Sequence, residues 1–199
     1  MENKTAEAKY LSLSEETNAL DYLKQAATFI KKTPENVTAW KWVVISLHGA
    51  LYGFAVAASR GTDYENILTK KGNLLGIWEI LNKCQDPNYM GMLINSRHLE
   101  LTDSQSESIK TLIIWLRNKF QHFKPRLWSI EIHGMPQIVL DVLEVIRFLA
   151  RETNTYVHLS HEEEMLVDKH VKASIDFIKE TELYAELKLG RDLYQKEKY

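Results

Sequence analysis

The chain has 199 residues, a length suited to one domain that buries roughly 70% of its unfolded surface and folds without a metal or disulfide staple. Hydrophobic residues make up 45% and charged residues 26%, which is ordinary globular composition. The formal net charge of −2 excludes a surface coated in positive charge for nucleic acid, and a lone cysteine, Cys84, excludes an intrachain disulfide and fits a reducing, cytoplasmic compartment.

Residues 1–14 are polar and expected to be disordered, and no apolar run follows Met1-Glu2-Asn3-Lys4, so a secretory leader is not expected. A first helix is expected from about Ser14 to Lys32, with Leu20, Leu23, Ala27 and Ile30 on one face. Thr33-Pro34 then reads as N-cap and first residue of a second helix. Its apolar stripe runs Trp40, Val44, Leu47, Leu51, Phe54 and Ala58. Gly49, Gly53 and Ala57 form a second line at four-residue spacing. Glycine within a helix costs about 1 kcal/mol against alanine, and a closely approaching neighbour is the expected compensation. The apolar run Val43–Ala58 falls short of the ~20 residues needed to span a bilayer, so it is read as a central buried helix and no membrane is expected.

A linker over Gly61–Thr69 and a short helix around Leu74–Lys83 follow, and the Gln85–Glu100 segment reads as loop and turn. Thr102-Asp103-Ser104 opens the next helix, with Ser104 and Glu107 spaced for a capping box. The core stripe of this helix is Ile109, Leu112, Ile113, Leu116, Phe120 and Phe123, and Pro125 ends it. Trp128 to His133 alternates apolar and polar residues, the pattern of a short strand. Pro136 opens a helix to about Glu152 that uses Val139, Val142, Leu143, Ile146 and Leu149. A last helix begins at Ser160-x-x-Glu163, carries Val167, Val171, Ile175 and Ile178, and forms a C-terminal extension over 160–199. The expected fold is all-α: a single domain over 1–199, built as a compact bundle of about five helices with one short strand or hairpin.

Charge is unevenly spread. The 23 residues between Glu107 and Glu131 contain no acid but carry Lys110, Arg117, Lys119, Lys124 and Arg126. Without those five, 20 bases face 27 acids. Such a segment is a candidate anion site by Coulomb attraction. With Leu116 taken as the core direction, Asn118 and His122 point roughly 200° and 240° around the helix, and Arg117 lies near 100°, on the flank. Thr111 and Trp115 share the outward side. An exposed tryptophan on a polar face suggests a covering partner or ligand. Arginine, asparagine and histidine together suit phosphodiester chemistry. The guanidinium fork binds phosphate oxygens, imidazole exchanges a proton with a ribose hydroxyl or the leaving oxygen, and the amide orients either. No metal or cofactor is called for.

The segment RNKFQHFKPRLWSIEIHGMP, with AWKWVVISLHGALYGF before it, resembles bacterial HEPN-like proteins over roughly Leu20 to Arg151. Active members of that family carry arginine, a polar residue and histidine in an R-x4-6-H motif. The resemblance implies Arg117 and His122 as a ribonuclease pair with Asn118 as the polar residue. It implies a homodimer that brings two motifs together, metal-independent cleavage of RNA to a 2′,3′-cyclic phosphate, and service in toxin–antitoxin or phage-defence systems, with an antitoxin as a further partner. Lys119, Lys124, Arg126 and Trp115 are the expected RNA-binding residues.

Two alternatives stand beside this reading. One is a non-catalytic RNA-binding or protein-interaction module on the same fold. The other is a metal-dependent hydrolase using the late cluster of His158, His161, Glu162, Glu163, Glu164 and His170, which lacks the second histidine of HExxH. His48 reads as a hydrogen-bonded core or interface residue, and Cys84 as inert.

Overall fold

A computed structural model describes residues 9–122, 125, 127–153, 155 and 159–196, with side chains described as far as Gly190. Among these residues there are eight helices and no strand. The first, α1 (Glu15–Ile30), begins where Ser14 and Thr17 cap each other, Thr17 N–H donating to Ser14 Oγ at 3.2 Å and Ser14 N–H to Thr17 Oγ1 at 2.8 Å. Leu23, Ala27 and Ile30 are buried as the spacing predicts, and Leu20 is half-buried.

The second helix, α2 (Ala39–Arg60), begins later than Thr33-Pro34 predicts. Thr33 turns its hydroxyl back to the Ile30 carbonyl at 2.8 Å, closing α1 instead of opening α2. Asn36 then makes the turn, its Oδ1 accepting from Thr38 N at 3.0 Å and Thr38 Oγ1 at 2.7 Å. All six residues of the Trp40–Ala58 stripe are buried. At 22 residues, α2 is long and apolar enough to cross a membrane, contrary to the shorter apolar run, but 67% of its most apolar window is covered by the rest of the bundle. Burial against protein decides for a core helix.

The close neighbour expected from the glycines is α1. A Cβ placed on Gly53 would lie 2.7 Å from Ala19 Cβ, and one on Gly49 would lie 2.7 Å from the Tyr22 ring. The pair is tied at its far end by Arg60, which donates to Glu15 at 2.9 Å and to buried Glu16 at 3.0 Å.

Beyond a short 3-10 turn at Tyr64–Ile67, α3 (Ile77–Gln85) packs on α2. The segment expected as loop holds a short helix, α4 (Pro87–Gly91), because Asp86 Oδ1 accepts from both Asn88 N–H and Tyr89 N–H and caps it. The fifth helix, α5, is continuous but not uniform. It runs α-helical over Asp103–Lys110, π-helical over Thr111–Arg117, and α-helical again over Asn118–Gln121. Its capping box is Thr102 with Gln105, not Ser104 with Glu107. The Ser104 hydroxyl is spent on Asp141, 2.7 Å away. Ile109, Leu112, Ile113 and Leu116 are buried and Phe120 half-buried, while Phe123 lies outside the described residues.

The expected strand at Trp128–His133 is absent. Ile130 and Ile132 do pack on the core, with Ser129 and Glu131 exposed, so the alternation is real. Among the described residues no second segment pairs with it, and one extended segment alone is not a sheet. The next helix, α6 (Met135–Arg151), buries all five predicted core residues. The predicted Ser160–Glu163 capping box opens α7 (His161–Lys179), in which Val167, Val171 and Ile178 are buried and Ile175 is half-buried. The C-terminal extension is two helices, because Thr181 breaks the chain before α8 (Glu182–Lys196). Its hydroxyl donates to the Ile178 carbonyl at 2.7 Å and accepts from Tyr184 N–H at 3.3 Å.

The bundle is organised around α2, which touches α1, α3, the π turn of α5 and α6, while α7 packs on α1 and α6. The bundle of about five expected helices becomes eight among the described residues; beside the helical segments read from the sequence stand α4, hidden in the segment read as loop, and α8, beyond the Thr181 break.

Candidate functional site

Arg117 is the last residue of the π turn, and Asn118 the first of the α-helix that follows. A π turn holds more residues per turn than an α-helix, so it rotates side chains away from α-helical expectation, and such turns concentrate at functional sites. Leu116 is buried, Asn118 and His122 are exposed, and Trp115 is 59% exposed, so the outward polar face is as predicted. Arg117 is half-buried and lies on the flank.

The guanidinium is only partly matched. One terminal nitrogen donates to Asn118 Oδ1 at 3.0 Å. The Nε–H is buried with no hydrogen-bond partner among the described residues. Buried donors are nearly always paired, so an orphan of this kind marks either strain or a missing ligand acceptor.

Facing the π turn from α2 is His48. Burial, with the Arg117 charge adding to it, lowers this imidazole from 6.5 to about 4. At neutral pH it is therefore uncharged beside a fixed cation. Its ring lies 6.4 Å from that of Tyr52, whose hydroxyl donates to the Leu75 carbonyl and whose ionisation burial pushes up. The structure thus hydrogen-bonds Arg117 to Asn118 and leaves His48 within reach of the Arg117 charge. It does not join Arg117 to His122: among the described residues the two share no hydrogen bond. His122 is the C-cap of the helix, at φ −126°, ψ 53°, and its backbone N–H donates to the Asn118 carbonyl at 2.8 Å.

Of the expected RNA-binding residues, Lys119 and Trp115 are exposed, and Lys124 and Arg126 lie outside the described residues. Lys110 sits 3.7 Å from Glu107, which offsets part of the positive segment. Ile114 is exposed beside Trp115, and Trp128 stacks obliquely on Phe120 with ring centres 5.8 Å apart while remaining partly exposed. An apolar and aromatic surface therefore borders the motif.

Sequence reasoning missed two arrangements. It treated His48 as core without pairing it to Arg117, although a histidine one turn before a tyrosine in an otherwise apolar helix is the available signal. It also passed over Asp141, an acid inside the apolar stripe of α6. Asp141 is buried and accepts from Ser104 and Ser108 hydroxyls at 2.7 and 2.6 Å and from Gln137 at 2.6 Å, which locks α5 to α6. The late His/Glu cluster is not gathered: among the described residues no three His, Cys, Asp or Glu side chains are placed to hold a metal, and His158 lies outside them. Cys84 is buried, its thiol pushed up to about 12 by that burial, which makes it a poor nucleophile.

The chain matches no protein-family model, no curated protein and no solved structure significantly.

Proposed function

We propose that this chain is a metal-independent endoribonuclease of HEPN type, acting as a homodimer through Arg117, Asn118 and His122. The observation that supports this reading is the half-buried Arg117 with its orphaned Nε–H. A phosphate oxygen would give that donor its acceptor and place a fixed positive charge where the phosphorane develops negative charge. In the reaction the ribose 2′-oxygen bonds to phosphorus, the bond to the 5′-oxygen breaks, and the proton lost from the 2′-hydroxyl is balanced by one delivered to the leaving oxygen. The products are a 2′,3′-cyclic phosphate and a 5′-hydroxyl. His122, exposed at the helix end, serves as the proton carrier. His48, neutral beside Arg117, leaves the guanidinium charge undiluted. The separation of Arg117 from His122 within one chain is met if a second copy supplies the other half of each site. A cellular role in toxin–antitoxin or phage-defence systems, with an antitoxin restraining the enzyme, follows from the same reading.

A non-catalytic interaction module is the second reading, supported by the exposed Ile114 and Trp115 beside the motif. Cleavage of a labelled structured RNA in EDTA separates the two. Wild type is expected to leave cyclic phosphate ends, and Arg117→Ala and His122→Ala to lose about 10³-fold or more in rate while remaining folded. Absence of cleavage across several RNAs, or equal cleavage by the variants, would leave only the binding module.

A further inference from the structure

A cavity of about 650 Å³ opens where the α1–α2 turn meets the break between α7 and α8, and it is lined by none of the Arg117, Asn118 and His122 side chains. This volume is in the range of small-molecule sites. Its apolar lining is Trp40, Ile132, Phe177 and Leu183, drawn from four separate parts of the chain. Exposed Glu180, Glu182 and Glu186 form its charged side, and no lysine, arginine or histidine lines it among the described residues.

Three features define what would fit. The glutamates make no ion pair among the described residues, so three negative charges border an apolar hollow without an internal counter-charge. The two lining threonines, Thr33 and Thr181, donate their hydroxyl protons to the carbonyls of Ile30 and Ile178, and so have no hydroxyl proton left for a ligand. Trp40, 4% exposed and part of the lining, donates its indole N–H to no group among the described residues, and that nitrogen is not sealed from solvent as Arg117 Nε is. An anion is repelled by such a site, and a plain hydrocarbon leaves both the indole donor and the carboxylates unmatched.

We infer that this cavity binds a small organic ammonium whose apolar body carries an acceptor oxygen. The ammonium sits at the Glu180, Glu182 and Glu186 side, the body lies against Trp40 and Phe177, where a cation or ring also gains from the aromatic faces, and the oxygen accepts from the Trp40 indole.

Calorimetric titration with three probes, read beside amide chemical-shift mapping, tests this assignment. The probes are 4-methoxyphenethylamine, its neutral alcohol analogue 4-methoxyphenethyl alcohol, and phenethylamine, which lacks the oxygen. The methoxy amine is expected to saturate one site near or below about 1 mM, about ten-fold tighter than the alcohol and several-fold tighter than phenethylamine. Shifts should centre on residues 33–40, 132 and 177–186. The double variant E182Q/E186Q, altering exposed side chains only, should weaken the amine about ten-fold and leave the alcohol unchanged. Ile132→Trp, which fills the cavity without changing charge, should abolish binding of all three. Equal affinity for amine and alcohol, an unaltered amine affinity in E182Q/E186Q, shifts mapping elsewhere, or no saturable binding would each overturn the inference.

Discussion

The two sides of α2 are built to opposite rules. Toward α1 it presents Gly49, Gly53 and Ala57, and the helices approach until Ala19 occupies the space a Gly53 side chain would need. The far end is clamped by Arg60 on Glu15 and Glu16. Toward α5 it presents His48 to a π turn that leaves one guanidinium N–H buried without a partner among the described residues. One side is packed for stability. The other retains a buried donor without a partner among the described residues, which costs stability, and a histidine held neutral, which costs stability only in acid.

The sharpest way to break this contrast is at Gly53. Gly53→Val is expected to destabilise the protein by about 3 kcal/mol, because the neighbouring atoms include the Ala19 backbone and the helices must move apart. Gly49→Ala is expected to cost less, about 1–2 kcal/mol, because the whole Tyr22 ring must shift, its Cγ and both Cδ atoms lying within 2.8 Å of the added Cβ, while the helix regains propensity. Urea midpoints at constant m measure both. Similar costs at the two positions would refute a backbone-limited contact at Gly53.

A smaller effect is expected from pH. The folded state holds His48 near 4 against 6.5 in the unfolded chain, so the unfolded state binds more protons between these values. The contribution is fully present above about pH 6.5 and is lost as pH falls toward 4. Discounted for partial exposure, it amounts to about 1–2 kcal/mol. His48→Gln should flatten that part of the pH–stability curve. An unchanged slope in the variant would assign the titration elsewhere.

The smallest stability change is expected at the other member of the pair. Arg117→Met removes the orphaned donor while keeping much of the buried stem, so stability should change by less than about 0.5 kcal/mol or rise. A loss above about 2 kcal/mol would show that Arg117 is a packing residue.

Most of the packing was legible from periodicity. The α2 stripe, the α6 stripe and the Ser160–Glu163 box all follow from spacing alone, because an apolar residue every three or four positions has one way to be buried in a helix. What escaped was decided by competition between local and distant partners. Thr33 could cap either helix and chose the carbonyl behind it. Ser104 could have capped α5, but the buried Asp141 carboxylate held its hydroxyl. The strand signal at Trp128–His133 was correct about which side chains face inward and silent about the missing partner. At the candidate site, exposure of Trp115, Asn118 and His122 was legible. The pairing of Arg117 with His48 was not, because it joins residues 69 positions apart in the chain.

The π turn has one more consequence, for insertion and deletion. Its wide turn accommodates about one residue more than an α-helix of the same length. Deleting exposed Ile114 could therefore be absorbed by tightening the turn to α geometry, with the rest of the bundle left in place. Where the turn does not tighten, everything beyond it rotates by roughly 100°, and Asn118 and His122 swing off their present face. A motif defined by counting residues from Arg117 to His122 would be unaltered by either event, although one preserves the surface and the other dismantles it.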